Sequence, residues 1–171
     1  GLGPVRQDVN ALWDLASHDV SIFLHLLDEK PLSVSAEGAC FLQKGIEDIV
    51  FINMQFEGGI ITNIHASWID PHKIRKLTVV GDKKMIVFDD TSTEPLRIYD
   101  KGVTYCERGV DFAEFKTQLR DGDIMIPKFK ASEPLKEEFN HFVKCVKEHS
   151  KPISDGIDGY RVVKVLELAQ K

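Results

Sequence analysis

Between residues 48 and 68 the chain reads DIVFINMQF, then EGG, then IITNIHASW. Two runs of alternating apolar residues are separated by only three, with Gly58 and Gly59 free to take positive φ. Such a short connection joins antiparallel strands only, because a parallel pair needs a crossover of a dozen residues or more. The pattern recurs. LSVSAEGACFL (32–42) precedes it, and KLTVVG (76–81) turns through DKK into MIVFDD (85–90). LRIYDKGVTYC (96–106) reads as a third hairpin, turning at Asp100-Lys101-Gly102. A short strand is expected at 124–126 and a polar loop over 107–123.

Helices flank the strands. From Trp13 to Leu27 the residues Leu15, Ile22, Phe23, Leu26 and Leu27 recur at helical spacing, with Asp14 or Ser17 as the cap and Pro31 beyond the end. Leu135, Phe139, Phe142, Val143 and Val146 share a face, as do Val162, Val163, Leu166 and Ala169, the latter behind Ser154 or Asp155 as cap. The whole is α+β: one large, mainly antiparallel sheet with helices on one face. Its open face then needs a cover, from another domain or another copy.

The 171 residues suffice for one domain with a real core. A net charge of −5 supplies no basic field for nucleic acid, and no apolar run reaches the length of a membrane span. Cys40, Cys106 and Cys145 are far apart and form no CxxC, as expected of a reduced, cytoplasmic chain. The opening GLGPVRQD has no strand before it, which leads us to expect a domain cut from a longer protein.

The chemistry concentrates in LWDLASHD (12–19). Asp14 and His18 stand at i and i+4, so on an α-helix a carboxylate and an imidazole share a face. That pairing fixes a tautomer and supports a proton-accepting ring. On spacing alone the plainer reading is favoured, with Asp14 as a cap and His18 as a solvated or core residue. The loop SWIDPHKIRK (67–76) combines Trp68, Asp70, His72, Lys73 and Arg75 and is rich in side-chain donors suited to a polyhydroxylated or phosphorylated ligand, or is a solvated connection with Trp68 packed at a sheet edge. No HxxxH or HxH occurs, so no metal site is expected.

RQDVNALWDLASHDVSIFLHLL, followed by SWIDPHKIRKLTVVGDKKMIVFDD and PISDGIDGYRVVKVLELA, resembles the C-terminal domain of the glucose–fructose oxidoreductase / inositol dehydrogenase (Gfo/Idh/MocA) family. The likeness spans nearly the whole chain. It implies that residues 1–171 form the substrate-binding and oligomerisation domain of an oxidoreductase, lacking its own first strand. A Rossmann domain that binds NAD or NADP would precede it. Substrates would be sugars, cyclitols or nucleotide sugars, and the open sheet face would pair subunits. By the same resemblance His18 is the general base, and Asp14 orients it or hydrogen-bonds the substrate. Arg6, Asn10, His72 and Lys73 would line the pocket. The chain departs from the family in having no GxGxxG. Its DEKP (28–31) follows the D-x-x-x-H, whereas the family's Glu-Lys-Pro precedes it, so Lys30 does not inherit a catalytic role. The chain alone is therefore expected to be inactive. The rival readings are a non-catalytic assembly module and, behind it, a metal-dependent hydrolase using Asp14 and His18 as ligands.

Overall fold

The alternation in IVFINMQ and ITNIHAS becomes a sheet of β1 (Ser33–Ala39), β2 (Ile49–Gln55) and β3 (Ile61–Ser67), antiparallel throughout and in that order. The structure, a computed structural model, describes residues 5–105, 117–120, 122–128 and 132–171. The β2–β3 turn is closed by Gly58 (φ 68°) and Gly59 (φ 78°), a conformation that side chains with a Cβ rarely adopt. Period two then sorts the strands: Val50, Ile52, Met54, Ile64 and Ala66 are buried, while Phe51, Asn53, Ile61, Asn63 and His65 face outward.

The buried face packs against two helices. A π turn at Leu12–Ala16 runs into α1 (Ser17–Leu27), and α3 (Gly156–Ala169) lies beside them in the same core. The helix stripe in that core is Leu12, Ala16, Val20 and Leu24. This departs from the periodicity read above: Leu15, Phe23 and Leu27 pack only at its margin, while Ile22 and Leu26 are exposed. The cause is local. A π turn bonds i to i+5, so it shifts the phase of every residue that follows. On α3 Val165 and Leu166 are buried and Val162 and Ala169 lie beside them, whereas Val163 is exposed.

Neither Asp14 nor Ser17 caps the first helix. Asn10 starts it, its side-chain oxygen accepting from the Trp13 amide (3.2 Å) and its carbonyl from the Asp14 amide (3.1 Å). At the other end Asp28 adopts a left-handed conformation (φ 50°) and its amide donates to the Leu24 carbonyl, so Lys30 is not needed there. Helix α2 (Pro134–Glu148) buries Cys145 but leaves Leu135, Phe139, Phe142 and Val146 exposed. The apolar stripe expected on it is present and uncovered.

Asp155 caps α3 through a reciprocal box, its side chain accepting from the amides of Ile157 and Asp158 while the Asp158 side chain accepts from the Asp155 amide. The Lys151 ammonium, 3.0 Å away, and these amide donors hold the Asp155 carboxyl down at about 2, below the ordinary 3.8. Folding therefore favours the ionised form. The contribution is fully present above about pH 4 and is lost as the pH falls toward 2. The protection of the Ile157 and Asp158 amides, their exchange relative to the intrinsic rate at each pH, should fall over that window in wild type, and Asp155→Ala should lack it already at neutral pH.

Residues 73–132 form a second unit, separate from the first, which comprises residues 1–72 and 133–171. It contains β4 (Lys76–Val80), β5 (Met85–Asp89), β6 (Leu96–Tyr99), β7 (Gly102–Tyr105), β8 (Thr117–Arg120) and β9 (Ile124–Met125). One sheet runs β4-β5-β6-β9 and a second pairs β7 with β8, all antiparallel. The hairpin expected at Asp100-Lys101-Gly102 is therefore absent, since β6 turns to β9 and β7 to β8. Gly102 permits the divergence: a Cβ there would meet the Asp82 carbonyl oxygen at 2.5 Å. Part of the loop expected over 107–123 is strand β8; residues 106–116 and 121 lie outside the described residues. The α+β class and antiparallel pairing hold, with the described strands in three sheets rather than one. No described helix is long and apolar enough to cross a membrane.

Candidate active site

Asp14 lies in the π turn, three-quarters buried, and its carboxylate is already engaged. The indole Nε1–H of Trp68 donates to Oδ2 at 2.9 Å, and Arg6 Nη1 stands 3.6 Å from Oδ1. Arg6 is itself gripped by Asp8, Nε to Oδ1 at 3.0 Å and Nη2 to Oδ2 at 2.7 Å. That two-pronged bond holds the Asp8 carboxyl below the usual carboxylate range and raises Arg6, so Arg6 is a fixed cation facing Asp14.

Asn10 supports this arrangement from beneath. Its buried amide donates to Glu47 Oε2 (2.7 Å) and to Gln170 Oε1 (3.4 Å). Gln170 also accepts from Trp13 Nε1 at 2.6 Å, tying the end of α3 to the helix start. The Ala11 amide donates to the Glu47 carbonyl, and Gln43 Nε2 to the Arg6 carbonyl, so the β1–β2 loop braces the same residues. With both amide hydrogens engaged, Asn10 holds the site together more than it offers a hand to a ligand.

His18 stands in the first turn of α1, exposed. Among the described residues it makes no hydrogen bond and no ion pair, and none joins it to Asp14. The carboxylate–imidazole contact suggested by the i, i+4 spacing is thus not formed. Asp14 belongs to the indole and the guanidinium instead, and the π turn breaks the α geometry on which that spacing relied. His72 and Lys73 are exposed in the segment after Trp68 and have no partner among the described residues.

The structure therefore brings together Arg6, Asn10 and Asp14, and leaves His18, His72 and Lys73 with unoccupied side chains. Sequence reasoning missed Glu47, Gln170 and the bond from the Trp68 indole to Asp14. Only Trp68 carried a signal, since a buried indole N–H requires an acceptor. Among the described residues no three His, Cys, Asp or Glu side chains converge as metal ligands. A groove of about 380 Å³ lies elsewhere, along α2 between Leu135, Phe139, Phe142 and Pro152.

A dinucleotide does not fit the described elements. Every described strand pair is antiparallel, so no βαβ unit with a glycine-rich turn is formed among them. The N-terminal amides of α3 are occupied by Asp155, and α2 begins on Pro134.

Residues 5–87 match the family model described as GFO/IDH/MocA C-terminal domain. No curated protein matches the chain. Solved structures do. UDP-N-acetylglucosamine 3-dehydrogenase GnnA from Acidithiobacillus ferrooxidans superposes with a TM-score of 0.74 at 19% identity, over 99% of this chain and 49% of that one. A protein described only as an oxidoreductase, from Magnetospirillum magnetotacticum MS-1, gives 0.72 at 28% identity, over 99% and 52%. The WlbA dehydrogenase from Bordetella pertussis, solved with NADH and UDP-GlcNAcA, gives 0.62 at 17% identity, over 95% and 43%. The chain spans about half the length of these proteins.

Proposed function

We propose, from the premise that residues 5–87 are those of a GFO/IDH/MocA C-terminal domain, that this chain is the substrate-binding and subunit-pairing part of an NAD- or NADP-dependent oxidoreductase. The substrate is a sugar-like alcohol, and among sugars, cyclitols and nucleotide sugars we favour the last. Two structural neighbours, GnnA by its name and WlbA by its bound ligand, work with UDP-sugars. The reaction class is hydride transfer between a carbinol carbon and a nicotinamide held by a nucleotide-binding domain outside these residues.

The observation that carries the reading is the division of labour between two side chains. His18 offers an exposed imidazole with no described partner, while Asp14, one helical turn before it, is locked in place. A ring with both nitrogens open accepts a hydroxyl proton; a clamped carboxylate orients a donor hydroxyl. Removing the proton raises electron density on oxygen and eases departure of hydride from the adjacent carbon. Asp14 Oδ1 and Arg6 act on the substrate rather than on the imidazole. His72 supplies a further donor to a hydroxyl or phosphate.

The outward face of β1–β3, with Phe51 stacked on His65 (4.6 Å between centroids) and Ile61 exposed, is the surface we assign to subunit pairing. The same face favours the rival in which the chain only assembles subunits. Turnover separates the two. The enzyme carrying this domain together with its nucleotide-binding domain should reduce NAD or NADP with a UDP-N-acetylhexosamine and do so less with free hexoses or inositol. The 171-residue chain alone should reduce neither. Absorbance of the reduced nicotinamide reads both. An assembled protein that forms oligomers but oxidises none of these alcohols would reject the enzymatic reading in favour of the assembly module.

A further inference from the structure

We propose that Trp68 is a positioning residue of the reaction, fixing which oxygen of Asp14 meets the substrate; this rests on the dehydrogenase reading above. Trp68 is only 4% exposed and follows the last residue of β3. Its backbone amide donates to the Asp48 carbonyl at 2.9 Å, which extends the sheet register one residue past the strand. The indole is thereby held at both ends, by the sheet through its backbone and by Asp14 through Nε1–H···Oδ2 at 2.9 Å.

A buried indole N–H needs an acceptor, and a backbone carbonyl would serve. Here it takes a carboxylate oxygen instead. The consequence falls on Asp14. With Oδ2 occupied by a donor on a rigid ring, the carboxylate cannot rotate, and Oδ1 is left beside the Arg6 guanidinium at 3.6 Å. A carboxylate so restrained presents one oxygen, in one direction, to a substrate hydroxyl. Orientation of this kind contributes to rate because a reacting group displaced by about 1 Å costs on the order of 10²-fold. Trp68 also opens the segment that carries His72 and Lys73, so the indole ties the base of that segment to Asp14.

A purely structural tryptophan and a positioning one differ in how their loss combines with that of Asp14. In the assembled enzyme Trp68→Phe, which keeps a ring but removes the donor, should lower kcat about 10-fold with KM changed less than about 3-fold. Asp14→Asn should lower kcat at least as far. The double variant should be no slower than Asp14→Asn alone within about 2-fold, because Trp68 acts only through Asp14. Independent, multiplicative losses, or a Trp68→Phe enzyme with the parent kcat, would overturn the proposal while leaving the dehydrogenase reading intact. Turnover of no polyol or nucleotide sugar would remove that reading, and the proposal with it. A readout free of activity is the Trp68 indole resonance of this chain. Asp14→Ala should shift it and speed its solvent exchange at least about 5-fold; a resonance indifferent to Asp14 would refute the contact.

Discussion

On the reading proposed above, replacing His18 with alanine in the assembled enzyme should lower kcat by roughly 10²–10⁴-fold, the range for loss of a general base. The structure makes this a test of chemistry rather than of folding. His18 is exposed and without a described hydrogen bond or ion pair, and it is absent from the core cluster. Its removal should shift stability by less than about 0.5 kcal/mol, as for surface positions in general. The melting temperature of His18→Ala should therefore match that of the parent while turnover collapses. Because neither Asp14 nor Arg6 is hydrogen-bonded or ion-paired to the imidazole, both should stay in place, and KM should change little. Imidazole added to the solution should restore part of the rate by entering the vacated space. Near-parent turnover would take His18 out of the mechanism.

The outcome matters because the contact that the spacing of Asp14 and His18 suggested is not formed. The spacing of Asp14 and His18 is a weak signal by itself, and the resemblance to the Gfo/Idh/MocA family is what singles the pair out. Their contact was inferred from α geometry, and no local signal in LWDLA announces a π turn. That turn arises where the helix start is pulled by tertiary bonds: Asn10 to Glu47 and Gln170, Trp13 to Gln170, Asp14 to Trp68. Their partners lie tens of residues away or at the far end of the chain, and period counting reads only neighbours. The same limit explains the strands. Gly58 and Gly59 encode their hairpin locally, and the sequence reading found it. Asp100-Lys101-Gly102 looks like a similar turn. Yet the Asp100 amide donates to the Asp123 carbonyl, and β6 follows that distant partner rather than β7. Hydrophobic patterning marked the apolar residues of α2 and placed them on one face; it carries no information on what covers that face.

The second large effect falls on stability, at Asp48, a residue with no motif around it. It is fully buried in the first unit and its Oδ2 accepts from the backbone amides of Phe41 and Leu42, the latter at 2.7 Å. Its own amide and carbonyl continue the sheet, bonding to Ala39 and Trp68. The carboxylate thus folds the β1–β2 loop back on itself, and that loop supplies Glu47 to Asn10. Two opposing terms decide what Asp48→Ala does. Two charge-assisted bonds are lost, each of about 1.5–3 kcal/mol. Against this, Oδ1 is buried without a described partner, and deleting it removes the cost of keeping that oxygen from water. Water reaching the opened loop restores part of what the amides lose. The balance leaves a net loss of about 2–3 kcal/mol, which for a chain of this length lowers the melting temperature by about 5–10 °C. Asp48→Asn separates the terms. It keeps an oxygen toward the two amides and turns its NH2 toward the site of Oδ1, so it should lose less than the alanine variant. A thermal melt of the two proteins decides it. If Asp48→Ala melts with the parent, the buried oxygen costs as much as the two bonds contribute, and the loop is held by Glu47 and Gln43 alone.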